Sequence, residues 1–164
     1  MVVSMAAPRT ASFLRIAEDY RALREAAGVV DLSRWTALTL RGPDTREFLQ
    51  GTATRDFAAP VPPETALKTL FLTDKGRPVA LAWVSIAADG ASATVIADEG
   101  ARAGLHLHLE HFRIMEDVEF EGPDGMPRLF GVAGPERDPL ARAVAASIPD
   151  ARPIFAEPLS FVLV

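Results

Sequence analysis

The sequence lacks cysteine altogether, and it has few aromatic residues and no long apolar run. Without cysteine, the chain can form no disulfide bond, no thiolate zinc site and no cysteine-ligated iron–sulfur cluster. No apolar run approaches the roughly 18 residues that cross a bilayer, and residues 1–12 contain no extended apolar stretch of the secretory type. We therefore expect a cytoplasmic protein that does not enter a membrane.

Basic residues are also in the minority. There are 17 Lys and Arg residues against 22 Asp and Glu residues, which gives a formal net charge of −5 and a pI near 5.2. Because nucleic-acid binding usually needs a stripe of positive charge along the phosphates, we expect no nucleic-acid partner. The 164 residues, 49% of them hydrophobic, suffice for one compact domain or two closely packed halves.

The spacing of the apolar residues predicts an α+β fold. Four segments have helical periodicity and seven read as strands. The predicted helices are residues 13–27, 44–51, 99–112 and 138–148, and the predicted strands are residues 36–42, 66–73, 77–87, 91–97, 117–121, 128–133 and 159–164.

The middle of the chain predicts an antiparallel meander with a helix across it. Lys75-Gly76 and Asp89-Gly90 separate three strands as tight turns, and the helix that follows has an apolar stripe. We predict that this ferredoxin-like unit, residues 60–122, is inserted into a second α+β layer. Residues 13–59 and 123–164 are expected to form that layer, and residues 1–12 a flexible lead-in.

Two local patterns give sharper predictions. Asp44 and Glu47 have the spacing of a capping box at the start of the short second helix. In the strand before it, Leu38 and Leu40 alternate with polar residues, which predicts one buried and one solvated face. A Pro-Asp-Gly turn at residues 123–125 is expected to join the strands at 117–121 and 128–133.

The usual catalytic and metal patterns are weak. His108 and His111 share one side of a helix, but metal sites usually need three or four ligands, so a solvated helix face is the favoured interpretation. The paired acids of the chain are interpreted as solvated surface, because acids on an edge strand more often keep a protein soluble and nothing in the sequence indicates that they are buried. Neither a glycine-rich phosphate loop nor a nucleophile-elbow motif is found. By residue chemistry alone, no metal ligand or catalytic residue is predicted.

Two stretches of sequence carry a resemblance to a known family. They are REAAGVVDLSRWTALTLRGPDTREFLQGTATRDF, residues 24–57, and LKTLFLTDKGRPVALAWV, residues 67–84. Together they resemble the amino-terminal half of the aminomethyltransferase superfamily. This group includes the glycine-cleavage T-protein and the YgfZ-type folate-binding proteins linked to iron–sulfur cluster maturation. The shared landmarks are Gly28, Val29, Asp31, Leu32, Ser33, Gly42, Asp44, Phe48, Leu49, Gln50, Gly51, Thr54, Asp56, Lys75, Gly76 and Arg77.

The resemblance implies a cavity for tetrahydrofolate or a one-carbon derivative of it. The expected folate contacts come from the loop after the second helix and from the meander. For the loop residues, the competing interpretation is local capping of turns and backbone. For Trp83 the competing interpretation is a core position, and for Lys68 and Arg77 it is a solvated surface position. The candidate binding residues are Gln50, Thr54, Asp56, Lys68, Arg77, Trp83 and Ser85.

Two departures from the family bear on activity. The two adjacent aspartates of the true aminomethyltransferases fall on Ala80 and Leu81, and neither side chain can take a proton. The cysteine-containing motif of the later half of YgfZ-type proteins and the carboxy-terminal barrel of the family have no counterpart. The resemblance therefore implies a non-transferase member, truncated or split, with no catalytic residue of its own.

Three functions remain open at this level. The first is a non-catalytic, tetrahydrofolate-binding protein of the YgfZ type that supports iron–sulfur protein maturation. The second is a small subunit or split half of a folate-dependent aminomethyltransferase or sarcosine oxidase-like complex, its cavity completed by a second polypeptide or a homodimer. The third is a structural remnant without ligand.

Overall fold

The computed structural model describes residues 13–121 and 128–164. The helices in this part of the chain are α1 (Phe13–Glu25), α2 (Thr45–Thr52), α3 (Arg102–Phe112) and α4 (Arg137–Ala146), with a short 3₁₀ turn at Glu99–Ala101. The strands are β1 (Gly28–Asp31), β2 (Thr36–Arg41), β3 (Leu67–Leu72), β4 (Pro78–Ile86), β5 (Ser92–Ala97), β6 (Glu119–Glu121), β7 (Leu129–Ala133), β8 (Arg152–Ile154) and β9 (Leu159–Leu163).

The strands form two antiparallel sheets. The first has the order β3-β4-β5-β2-β6, and the second has the order β1-β7-β9-β8. The predicted meander is present, because β3 pairs with β4 and β4 with β5 in antiparallel register. The α+β fold predicted from the sequence is confirmed.

The strand order differs from the predicted division of the chain in one respect. β2 pairs with β5 and β6, so the segment before residue 60 contributes to the meander sheet as well as to the second sheet. β6 lies in the meander sheet and β7 in the second sheet. The turn predicted at residues 123–125 and the lead-in of residues 1–12 lie outside the described residues.

The burial of β2 explains this placement. Leu38 and Leu40 pack toward the helices, whereas Ala37 packs toward the second sheet, and Thr36 is fully buried. The predicted solvated face is confirmed at Arg41, which is exposed, whereas Thr39 is half-buried and Ala37 on the same side is buried. A strand with apolar contacts on both faces fits the middle of a layered domain, where helices cover one face of the sheet and a second sheet covers the other.

The elements stack in four layers. α2 and α3 cover one face of the five-stranded sheet, around a core that includes Phe48, Leu49, Phe71, Leu105 and Leu109. The other face packs on the four-stranded sheet. α4 covers the far side of that second sheet. The residues between the two sheets are Ala37, Ala66, Trp83, Ile96, Leu129, Ile154, Ala156, Phe161 and Leu163.

The start of α2 is held by a long-range contact. Asp44 makes no capping hydrogen bond, so the predicted capping box is wrong. Its backbone is at φ −90°, ψ 5°, outside the extended conformation of a capping residue. Its Oδ2 instead accepts a hydrogen bond of 2.8 Å from the backbone N–H of Asp117, in the loop after α3.

Gly42 lies at the same junction. Its φ is +143°, and a Cβ on this residue would lie 1.9 Å from the carbonyl oxygen of Asp117. Its N–H donates to the carbonyl of Ala91. Only glycine fits, because the backbone conformation and the close approach both exclude a side chain.

The Gly42→Ala substitution is expected to lower the free energy of unfolding by more than about 2 kcal/mol, through the clash and the strained φ. The matched control is Gly51→Ala in α2, where an added Cβ meets nothing within 4 Å. That change is expected to raise the free energy of unfolding by about 0.5–1 kcal/mol, since alanine has the higher helix propensity. Urea unfolding of both variants measures the two changes in unfolding free energy. Equal changes would contradict the conclusion that only glycine fits at position 42.

Helix α3 buries one of its histidines. The prediction of a solvated face is wrong for His108, which is only 8% exposed, with ring centroids 4.7 Å from Phe112 and 5.9 Å from Phe71. Its Nε2 is buried without a hydrogen-bond partner. Burial lowers the pKa of His108 from its ordinary value of 6.5, and the nearby His111 lowers it further.

This depressed pKa predicts a pH dependence of stability. His108 is neutral in the folded protein, so its stabilising contribution is complete above about pH 6.5 and is lost as the pH falls toward the lower folded-state pKa. His108→Leu is expected to flatten the loss of unfolding free energy between pH 7 and pH 5, whereas His111→Leu, at an exposed position, retains most of it. Urea titrations at several pH values measure the unfolding free energy of both variants. If its dependence on pH is unchanged in His108→Leu, His108 is not the group responsible.

Candidate functional site

The meander brings several candidate residues onto one face of a sheet. In the β3–β4 ladder, Lys68 pairs with Trp83 and Leu70 pairs with Leu81. Paired residues of antiparallel strands point to the same side. This side is opposite to that of Phe71, Ala80 and the helices, so it faces the second sheet.

Trp83 is a core residue in this structure. It is 7% exposed, and its ring lies 5.6 Å from that of Trp35 and 5.5 Å from that of Phe161. Its Nε1 donates a hydrogen bond of 3.2 Å to the carbonyl of Glu157. The Lys68 ammonium lies 5.5 Å above the ring. A ligand ring could stack directly on Trp83 only by displacing one of these neighbours.

Next to Trp83, the second sheet no longer covers the strands. Leu81 is 40% exposed and Leu70 is half-buried, while Lys68 is exposed beside them. We call these residues, Lys68, Leu70 and Leu81, the β3–β4 ledge. It combines an apolar surface with one cation whose position is restrained by the tryptophan ring.

The loop after α2 is attached to this region by Thr54. The Thr54 N–H donates to the carbonyl of Leu70 at 3.0 Å, and the Leu70 N–H donates to Thr54 Oγ1 at 3.1 Å. Thr54 Oγ1 also lies 3.3 Å from Thr69 Oγ1. These bonds extend the edge of β3 and hold the loop against the ledge.

The other two loop candidates stabilise the local backbone. Gln50 Oε1 accepts a hydrogen bond of 2.5 Å from the N–H of Phe57. Asp56 Oδ1 accepts one of 2.9 Å from the N–H of Ala58, as in an Asx turn. Both residues are exposed, so part of each side chain still faces solvent.

Arg77 and Ser85 lie farther from the ledge. Arg77 is exposed in the turn before β4, where its N–H donates to Thr73 Oγ1. Ser85 lies on β4 beyond Trp83 and pairs with Thr94 of β5. Each is four residues from Leu81, which corresponds to about 13 Å along an extended strand. The structure therefore brings Thr54, Lys68 and Trp83 together. Ser85 lies two residues along β4 from Trp83 on the same side of the sheet, at the opposite end from the ledge, and Arg77 is separate from the group.

Two features of the layer between the sheets were missed from the sequence. Trp35 packs on both Trp83 and Phe161, although its sequence neighbours carry no strand periodicity. Arg152 of β8 reaches the other sheet and donates a hydrogen bond of 2.7 Å to Thr94 Oγ1. Burial, and then the charge of Arg41, lowers the pKa of Arg152. Only the pairing of the sheets reveals these contacts.

A groove of about 370 Å³ lies elsewhere, between α2 and the end of α3. Phe48 and Phe112 contribute apolar surface, and Asp44, Glu47 and Glu116 contribute carboxylates. Hydrogen bonds from the backbone of Ile114, from its own N–H and from Met115 lower the pKa of Glu116, so this residue is an anion at neutral pH. Negative charge makes the groove unsuited to a ligand that carries carboxylates.

Within residues 13–121 and 128–164, no three His, Asp or Glu side chains come together in a way that could hold a metal ion. None of the helices in the same ranges has the length and apolar character needed to cross a bilayer.

Comparison with known proteins supports the resemblance seen in the sequence. The chain is similar in structure to the glycine cleavage system aminomethyltransferase T from Bartonella henselae, with a TM-score of 0.74 and 16% sequence identity. The match covers 92% of this chain and 45% of that one, so the present chain spans less than half of the relative. The family model described as the GCVT N-terminal domain matches residues 3–158. The chain therefore belongs to the GCVT N-terminal domain family, within the aminomethyltransferase superfamily.

Proposed function

We propose that this protein binds a reduced folate on the β3–β4 ledge, transfers no one-carbon group itself, and supports the maturation of iron–sulfur proteins as YgfZ-type relatives do. Membership of the GCVT N-terminal domain family supports folate as the ligand class. The YgfZ-type role rests on the resemblance of the sequence to that branch.

The observation that carries the proposal is the position of Lys68. Its ammonium lies over Trp83 at the border of the apolar surface of Leu70 and Leu81. A folate has a flat aryl group and a glutamate tail, so an apolar surface with a cation at its border is complementary to that part of the molecule. The acidic groove near Glu47 has the opposite charge.

The residues present also suit the polar edge of a pterin. Thr54 has its hydroxyl engaged by β3, so its role is to position the loop. The Gln50 amide nitrogen and the second carboxylate oxygen of Asp56 are the groups left to donate to and accept from a ligand. One-carbon chemistry would be supplied by the folate itself, and these side chains would bind and orient it.

The proposed lack of transferase activity is supported by the side chains of β4, which alternate between the two faces of the sheet. Ala80 is buried on the face that α2 and α3 cover, whereas Leu81 lies on the opposite face and forms part of the ledge. Of the two positions that carry aspartates in the transferases, only that of Leu81 is directed toward the proposed ligand. A leucine there can neither accept a proton nor stabilise a positive charge.

A second candidate function is a subunit completed by another polypeptide. The open position of the ledge favours it, because small-molecule sites usually enclose most of their ligand, whereas Leu81 and Lys68 are exposed. In this case the ligand class is unchanged, and the partner would close the site.

Titration with 5-formyltetrahydrofolate, followed by tryptophan fluorescence, is expected to show saturable binding by the wild-type protein. Lys68→Met should weaken binding about tenfold, because the variant loses one charge-assisted contact to a carboxylate. Lys75→Met is the matched control, since Lys75 is exposed in a turn away from the ledge. No saturable change up to about 1 mM ligand would exclude folate binding on the ledge.

The maturation role requires a separate measurement. In cells that lack this protein, the activity of iron–sulfur enzymes is expected to fall, and the wild-type gene should restore it while Lys68→Met restores it less well. Full activity in the deleted strain would contradict the maturation role without affecting the folate titration.

A further inference from the structure

Helix α1 is an unpartnered element. Every residue from Ile16 to Glu25 is exposed, including the apolar Ile16 (54%), Tyr20 (64%) and Leu23 (42%). An isolated helix of this length is marginal in water, and most helices in proteins are stabilised by packing of an apolar face. The exposed face of α1 therefore calls for a partner.

The helix is attached to the rest of the protein at one end. The carbonyl of Ala26 accepts a hydrogen bond from the N–H of Glu136, and Leu23 packs closely over Gly28 at the start of β1. No hydrogen bond or ion pair joins residues 16–22 to the body of the protein in the part that the structure describes. A second helix can therefore lie along α1 without meeting the sheets.

The three exposed large apolar residues of α1 share one side of the helix at heptad spacing. Ile16, Tyr20 and Leu23 follow one another at steps of four and three, as the core positions d, a and d of a heptad do. In the same frame, Asp19 occupies position g and Arg24 occupies position e. In a parallel pair of helices, position g of one helix lies beside position e of the following heptad in its partner.

The charges of α1 are complementary to those of a second α1. In a parallel two-fold pair, Asp19 of each copy lies beside Arg24 of the other, so two opposite-charge contacts flank the apolar seam. Among the described residues, neither Asp19 nor Arg24 takes part in an ion pair within its own chain. At the base of α1, the edge strand β1 exposes Val29 and Val30, one on each face of the sheet.

From this geometry we infer that α1 is the dimerisation element of this protein, and that its occupant is α1 of a second copy in parallel orientation. The inference is independent of folate binding. A seam of this length is small for a protein interface, so the dimer is expected to dissociate on dilution.

Sedimentation analysis of the full chain across a range of concentrations tests the proposal. The wild-type protein is expected to be dimeric at about 100 µM and monomeric at about 1 µM, as suits a small interface. Asp19→Arg and Arg24→Asp should each weaken self-association at least about tenfold, because two attractive contacts become repulsive. The matched controls are Glu18→Arg and Arg21→Asp, which make the same charge changes outside the seam and should leave association unchanged.

Mixing the two variants makes the test specific. Asp19→Arg mixed with Arg24→Asp should restore dimers, because both contacts of the mixed pair are again between opposite charges. Circular dichroism of each variant shows that it is folded, and restored association in the mixture itself excludes a folding defect. A monomer at every concentration, equal loss in the controls, or no recovery on mixing would overturn the proposal.

Discussion

The packing of Trp83 between the two sheets is the contact on which the arrangement of this protein depends. Trp35 and Phe161 lie against it, and its indole N–H is satisfied by a carbonyl on the far side of the interface. A large ring with a satisfied polar atom stabilises the contact of two sheets more than a smaller apolar residue would. The second sheet meets the first at Trp83 and does not cover the neighbouring part of β3 and β4, where the β3–β4 ledge lies.

The alternation of a strand determines which chemistry the site can have. Odd and even residues of β4 belong to different environments, one shared with α3 and one with the second sheet. A substitution at Ala80 would therefore alter the helix packing, whereas one at Leu81 would alter the proposed binding surface. The two positions at which the resemblance places the acids of the transferases therefore lie on opposite faces of the sheet.

Much of the fold followed from local pattern. The helices, the meander and the apolar stripe of Leu105 and Leu109 could be predicted, since they depend on periodicity within one segment. The position of β2 could not, because its burial on both faces depends on strands distant in sequence. The same reason explains Asp44, whose carboxylate bonds to Asp117 in place of its own helix, and His108, which is covered by Phe71 of another element.

The candidate site was predicted in part. Family resemblance identified Lys68 and Thr54, which the structure brings to one place, but it could not show that Trp83 is enclosed by Trp35 and Phe161. Residue type alone does not distinguish a stacking platform from a core ring. That distinction depends on which side chains the second sheet contributes.

The pairing of β1 with β7 has a consequence for how the chain reaches this structure. Val30 pairs with Gly131 across most of the sequence, whereas the meander strands are joined to one another by tight turns. Closing a long loop carries a larger entropic cost than closing a short one, and contacts between distant segments slow folding. We therefore expect the meander to form early and β1 to join the four-stranded sheet late, after the segments around Val30 and Gly131 have met.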